Sequence, residues 1–402
     1  MATAYKIHVS TQDAGIFNAG VTKEAAMKVN EVLQDNLERH HIVYNMMGFH
    51  NHTPHHILTL FALSASADQI EEAYSRDRSY QKRARHTNEA IVEELYDKQL
   101  FMKHLQNGQN YPHFLAFFQL EISQKGVANV LNEYLFVEDE CADEMLLRMF
   151  TGLLHPIIHL GFGIEFNQPA LVAEGLAQAC LHADWLGLRS LLPQAEHAAG
   201  GIGQSGGKSL FELLDEIQED FSQNSIMERI RGALTSRASE NKLKYISQFK
   251  VAEDQMEEKL AEMMNAVIYY TAAAQGFQRF DFVCLHAVTS SIFFSSLLAM
   301  PSPSIRTKLR LLEWKGRMDL MIYMEQKSSP LSLSSIKNTP ARKDWPAIFH
   351  SGILHGDDGH TAKLIRAIAH AEQVCRPFEK QKDWRISGDM WLKIGNMSKL
   401  LV

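Results

Sequence analysis

Leu153-Leu154-His155-Pro156-Ile157-Ile158-His159-Leu160-Gly161-Phe162-Gly163-Ile164-Glu165-Phe166 is the stretch whose reading decides the fold. Its apolar residues show no strand-like alternation, and His155 and His159 fall four apart, on one face of a helix. An imidazole among Leu, Ile and Phe needs a partner, and this spacing lets two of them meet one cation. Pro156 either starts a new helix or kinks an existing one, because it removes a donor and crowds the carbonyl of Gly152. In the plainer reading, one histidine hydrogen-bonds that freed carbonyl.

The same periodicity runs outward through residues 22–44, 67–107, 142–166, 170–191 and 256–274, so the expected fold is all-α. Thr22 and Asp68 stand where a helix cap is wanted. A single short strand at 5–9 is the one exception. Glycine-rich 198–208 and the Ser, Pro and Lys-rich 326–345 read as irregular loops within one large helical domain spanning 1–402.

Composition supports a large buried core: 402 residues, 46% hydrophobic, 22% charged, 11 prolines. Forty Lys and Arg against 47 Asp and Glu give a net charge of −7, and no long basic run is present, so nucleic acid is not an expected partner. Cys141, Cys180, Cys284 and Cys375 form no CxxC pair, which favours a reducing compartment, the cytoplasm. No basic segment followed by an apolar one marks a secretory signal at the start. Residues 282–305 are uncharged and long enough to cross a bilayer. They contain His286, Thr289, Ser290, Ser291, Ser295 and Ser296, which are costly in hydrocarbon, so they read as a buried helix and not a membrane span.

Nineteen histidines are present, and three further clusters lie in apolar surroundings. In His50-Asn51-His52-Thr53-Pro54-His55-His56, Pro54 suits the first helical position with Thr53 as cap. His56 then aligns with Leu60 and Leu63, which makes it the better inward-facing residue, while His55 aligns with Thr59; His52 precedes the cap and can swing inward. His286 alone interrupts an apolar helix. In His355-Gly356-Asp357-Asp358-Gly359-His360-Thr361-Ala362-Lys363, one of the two aspartates suits a helix cap, and His360 and Lys363 share a stripe. A lysine on an inward stripe should be paired, neutral or chemically modified; otherwise it snorkels to the surface.

Other chemistries fail on their own requirements. The 200–209 segment has Ile202 where a phosphate loop needs glycine, and Phe166 stands where the dinucleotide fingerprint needs one. A di-iron carboxylate bundle needs two Glu-x-x-His repeats, and only Glu38 to His41 is present. Gly203-Gln204-Ser205-Gly206-Gly207 spells the Gly-x-Ser-x-Gly pattern, but it lies in the glycine-rich stretch with no strand before it, so it is not a nucleophile elbow.

At the four histidine-bearing blocks the sequence resembles the questin oxidase-like family of fungal anthraquinone pathways. That resemblance implies a non-haem iron oxygenase that cleaves a ring carbon–carbon bond of an anthraquinone-type polyketide, with a Baeyer–Villiger or dioxygenase outcome. It further implies a metal buried between helices, held by four histidines and a carboxylated lysine. Position by position, Lys363 is similar to the modified lysine; His360, His286, one of His155 or His159, and one of His52 or His56 are the implied histidine ligands. Lys363 and His360 are also the implied catalytic residues. Fe(II) suits such a donor set, with Mn or Co as alternatives, carbon dioxide as the source of the carbamate, and NADPH as a candidate reductant. The implied partners are the small aromatic polyketide and dioxygen. Asp357, Asp358, Tyr44 and Glu165 are candidates for orienting ligands or moving protons. Phe162, Phe166, Phe282 and Phe293 could line an aromatic cavity, though helix-spaced phenylalanines are commonly plain core. Two rival functions remain on the residues alone: a divalent-metal hydrolase and a non-enzymatic all-α binding protein.

Overall fold

The structure is a computed structural model that describes residues 1–13, 15–43, 49–223, 237–274, 280–326, 329–381 and 383–398. Among them there are helices, turns and isolated bridges, and no strand. The chain forms two compact units: Met1–Ala183 with Ser295–Ser302 and Trp345–Arg366, and Asp184–Phe294 with Pro303–Asp344 and Ala367–Val402.

The first unit contains α1 (Lys23–Arg39), α2 (Thr53–Ala62), α3 (Ala67–Asp77), α4 (Tyr111–Lys125), α5 (Glu140–Met149), α6 (His155–Glu165) and α7 (Pro169–Ala179). The second contains α8 (Leu210–Gln223), α9 (Met256–Ala273), α10 (Phe282–Ser291) and α11 (Ile305–Glu325). The division between the units falls inside α12 (His360–Cys375). Local chemistry explains the starts. Thr22 accepts from the Ala25 amide at 3.1 Å, and Ser66 makes a reciprocal capping box with Gln69, so Ser66 takes the cap that Asp68 was expected to supply. Pro54 lies in the first turn of α2 as expected, but Thr53 is already helical and His52 is the cap.

The long periodic segments are broken where special backbone conformations intervene. Residues 67–107 leave the helix after Asp77 and resume as Glu89–Glu94 and Lys98–His104, restarted by Asn88 and Asp97 side chains that accept amide hydrogens. Between α5 and α6, Gly152, Leu153 and Leu154 all take positive φ, at 54°, 55° and 64°. Pro156 therefore starts a new helix and does not kink an old one. Residues 5–9 are not a strand, because side chains satisfy their amides: Ile7 donates to Gln34, His8 to Gln168 and Val9 to Asn30, at 2.8, 2.9 and 2.6 Å. The uncharged 282–305 segment divides into α10 and a helix at Phe293–Ala299, and 78% of its most apolar 18-residue window is buried within the protein.

One pair of helices sets the position of the second histidine of the opening stretch. α6 and α7 form an antiparallel hairpin through Phe166 to Gln168, and two glycines bring the backbones together. A Cβ on Gly163 would lie 2.7 Å from the Val172 amide, and one on Gly175 would lie 2.7 Å from the Leu160 amide. The hairpin is tied on its outer side by Glu165, which pairs with Arg366 and accepts the Ile16 amide at 2.9 Å. Glu165 is thereby a structural anchor. Substituting Gly175→Ala forces two backbones apart at a site with no flexible side chain to yield, so it should lower stability by roughly 1–3 kcal/mol. A denaturant titration followed by circular dichroism checks this.

Candidate metal centre

The site begins with the turn before α2. Asn51 fixes it from both sides, donating from its side chain to Asn36 at 2.9 Å and accepting the Thr53 amide at 3.0 Å. This leaves His52 at the cap of α2 with its ring buried. At the start of α12, the Asp357 side chain accepts the Gly359 and Thr361 amides at 3.0 and 2.8 Å and so caps the first turn. Its neighbour Asp358 is released to face the histidines.

Asp358 accepts from two rings, from His52 Nδ1 at 2.7 Å and from His360 Nδ1 at 2.5 Å. Burial alone would raise its pKa, but His52 and His360 hold the carboxyl well below the usual range, so it is an anion. Burial pushes His52 down to about 3 and lowers His360, with Lys363 acting in the same direction on both. Both rings are thus neutral donors to a carboxylate, and the ligand atom each presents is Nε2. Ligand atoms of His52, Asp358 and His360 lie within 4.8 Å of one another, a group that could hold a metal ion.

His155 completes the geometry. Its Nδ1 donates to the Gly152 carbonyl at 2.7 Å, which is the plainer reading of the sequence, and the left-handed run at 152–154 turns that carbonyl toward the ring. Its Nε2 faces His52 Nε2 at 2.7 Å. A carbonyl and a carboxylate both accept, so each Nδ1 carries the hydrogen and two Nε2 lone pairs point at each other. Neutral imidazoles cannot rest that way. A cation shared by the two rings would relieve this contact, and burial argues against an imidazolium. Lys363 Nζ is buried and has no hydrogen-bond partner among the described residues. Burial lowers its pKa to about 8, against the pull of Asp358, Asp357 and Asp77.

The other sequence candidates are placed differently. His159 uses both nitrogens, Nε2 to Glu174 at 3.1 Å and Nδ1 to His55 Nε2 at 3.0 Å. His56 points inward as expected, but so does His55. His56 Nδ1 bonds the buried Asp77 at 2.9 Å, and its ring lies under Gly359, where a Cβ would come within 2.8 Å. His286 belongs to the second unit, buried, with Nδ1 on the Phe282 carbonyl at 2.7 Å. Of the phenylalanines, Phe162 stacks on His55 with centroids 5.2 Å apart, while Phe282 is largely exposed. Tyr44 lies outside the described residues. Asp77, Glu174 and His182 escaped sequence reasoning. His182 Nε2 lies 3.0 Å from His50 Nε2, and His50 stacks on His155 at 3.9 Å.

Asp358→Asn replaces one accepting oxygen with a donor, so one of His52 and His360 must move its hydrogen to Nε2 and lose its ligand lone pair. Metal affinity, read by chelator competition, should fall about 10–100-fold.

The comparisons with known proteins bear on the chain as a whole. The model of the family described as questin oxidase-like matches residues 49–368, which include every block named above. A Baeyer–Villiger oxidase of Pestalotiopsis microspora is 34% identical, covering 99% of this chain and 94% of its own length. The questin oxidase of Aspergillus terreus is also 34% identical, over 99% of this chain and 93% of its own. A Baeyer–Villiger monooxygenase of a Cryptosporiopsis species is 33% identical over 98% and 93%. Similarity to oxidases over the whole chain sets aside the hydrolase and the non-enzymatic readings. This chain is an oxidoreductase and belongs to the questin oxidase-like family.

Proposed function

We propose that this protein is an iron-dependent Baeyer–Villiger-type oxygenase that opens a ring of an anthraquinone-type polyketide. The observation that carries the reading is the meeting of His52 Nε2 and His155 Nε2 at 2.7 Å, each with its Nδ1 already donating. Relatives named Baeyer–Villiger oxidases supply the reaction type, and the name questin oxidase suggests the substrate class.

In this reading His52, His155, His360 and Lys363 hold the ion, and Lys363 does so as a carbamate. A neutral amine adds carbon dioxide and releases a proton, which creates an anionic oxygen donor where the stripe carries no carboxylate. Nitrogen donors with one such oxygen suit Fe(II), with Mn or Co as alternatives. Bound there, the metal supplies the one-electron chemistry that lets dioxygen react with an organic substrate. In the net reaction one oxygen atom enters between a ring carbonyl carbon and its neighbour, breaking their bond and forming an ester. The other atom leaves as water, with two electrons and two protons from a reductant such as NADPH.

The protein's own residues prepare the site. Asp358 fixes the tautomers of His52 and His360, and the Gly152 carbonyl fixes that of His155. The apolar side chains of α2 and α6, including Ile57, Leu60, Ile158 and Phe162, are buried and exclude water around the rings.

Purified protein should carry about one equivalent of iron and consume dioxygen with a hydroxyanthraquinone, as read by elemental analysis and an oxygen electrode. Metal below about a tenth of an equivalent, with none restored on reconstitution, would overturn the reading. Lys363→Met should retain the fold and lose most of the bound metal, and intact-mass measurement of the wild type should show the added carbon dioxide.

A further inference from the structure

The proposed ligand set leaves a second histidine pair unused, and its hydrogen-bond directions can be followed from one end. Glu174 accepts on both oxygens, from Tyr111 Oη at 3.4 Å and from His159 Nε2 at 3.1 Å. A carboxylate donates nothing, so His159 carries its hydrogen on Nε2 and its Nδ1 is an acceptor. That Nδ1 lies 3.0 Å from His55 Nε2, which must therefore donate. In a neutral ring the remaining nitrogen, His55 Nδ1, is then a bare acceptor. Burial holds His55 well below the usual histidine range, in keeping with a neutral ring.

His55 Nδ1 is buried and has no hydrogen-bond partner among the described residues. Leaving such an acceptor unsatisfied is costly, and an apolar wall would serve the fold better. Its surroundings are those of an aromatic site. The His55 ring stacks on Phe162 at 5.2 Å with planes 13° apart, and the His52 ring centroid is 5.7 Å away. A group reaching His55 Nδ1 thus lies beside the proposed metal ligands.

We propose that His55 Nδ1 accepts the hydrogen of an aromatic hydroxyl on the substrate, and that His159 and Glu174 are positioning residues that keep it an acceptor. The placement of this hydroxyl subsite in a catalytic pocket rests on the oxygenase reading above. The chemistry selects a hydroxylated aromatic over its ether or its ketone, because an ether or carbonyl oxygen has no hydrogen to give. A site built to hydrogen-bond a hydroxyl rejects analogues without one more strongly than an apolar pocket can.

The test uses the full-length protein and two small probes, 4-fluorophenol and 4-fluoroanisole, titrated by fluorine NMR. The wild type should bind the phenol about tenfold more tightly than the ether, the worth of one buried hydrogen bond. His55→Phe keeps a ring against Phe162 and should erase the preference. Glu174→Gln, with its one oxygen accepting from Tyr111 Oη, turns its amide N–H to His159 Nε2, which reverses both histidine hydrogen bonds and places a hydrogen on His55 Nδ1. Its preference should fall to about one or invert toward the ether. A purely structural role for Glu174 would weaken both probes alike and leave their ratio unchanged. No preference in the wild type, or the same preference in both variants, overturns the proposal. The readout needs neither metal nor turnover, so its failure is distinct from failure of the iron assay.

Discussion

Asp358 sets the form of the proposed metal site. One carboxylate accepts a ring N–H from each of two histidines, His52 before α2 and His360 at the head of α12, which lie far apart in sequence. A buried anion is costly unless its lone pairs are taken up, and short charge-assisted bonds from two neutral rings do so. The consequence reaches beyond local stability. By taking Nδ1 from both rings, Asp358 decides that Nε2 is the nitrogen each presents inward, and the Gly152 carbonyl makes the same choice for His155. Three rings with one tautomer, set by one carboxylate and one carbonyl, are preorganised for the proposed metal.

The backbone works to the same end. The Asp357 side chain caps the first turn of α12 and leaves its neighbour free, and the left-handed run at Gly152 to Leu154 lets a carbonyl turn back onto His155 before α6 begins. The two glycines of the α6–α7 hairpin let Glu174 reach His159, so the two histidines of one motif serve different ends. His155 Nε2 faces the proposed metal position, and His159 passes hydrogen-bond direction from a carboxylate to His55.

The helical class was legible because the apolar periodicity of α1, α6 and α9 admits no other reading, and the family was legible because four histidine blocks occur in order. Their interruptions were less so. The break after Asp77 and the failure of a strand at 5–9 depend on long-range partners such as Gln34 and Gln168, which no local window contains. The choice between His155 and His159, or between His52 and His56, turns on which nitrogen meets which acceptor. Those acceptors, Glu174, Asp77 and Asp358, lie 15, 21 and 306 residues from the rings they orient. Spacing within a motif could show that two imidazoles share a face. It could not show what each was bonded to.

The central claim is that His52 Nε2 and His155 Nε2 share a cation. Anomalous diffraction from crystals of the protein as purified, recorded on both sides of the iron absorption edge, tests it most directly. The account predicts a single peak that appears above the edge, within bonding distance of both Nε2 atoms and of His360, with density continuing beyond Lys363 Nζ. A map with no peak there, and the two rings joined by a water or turned apart, would contradict it.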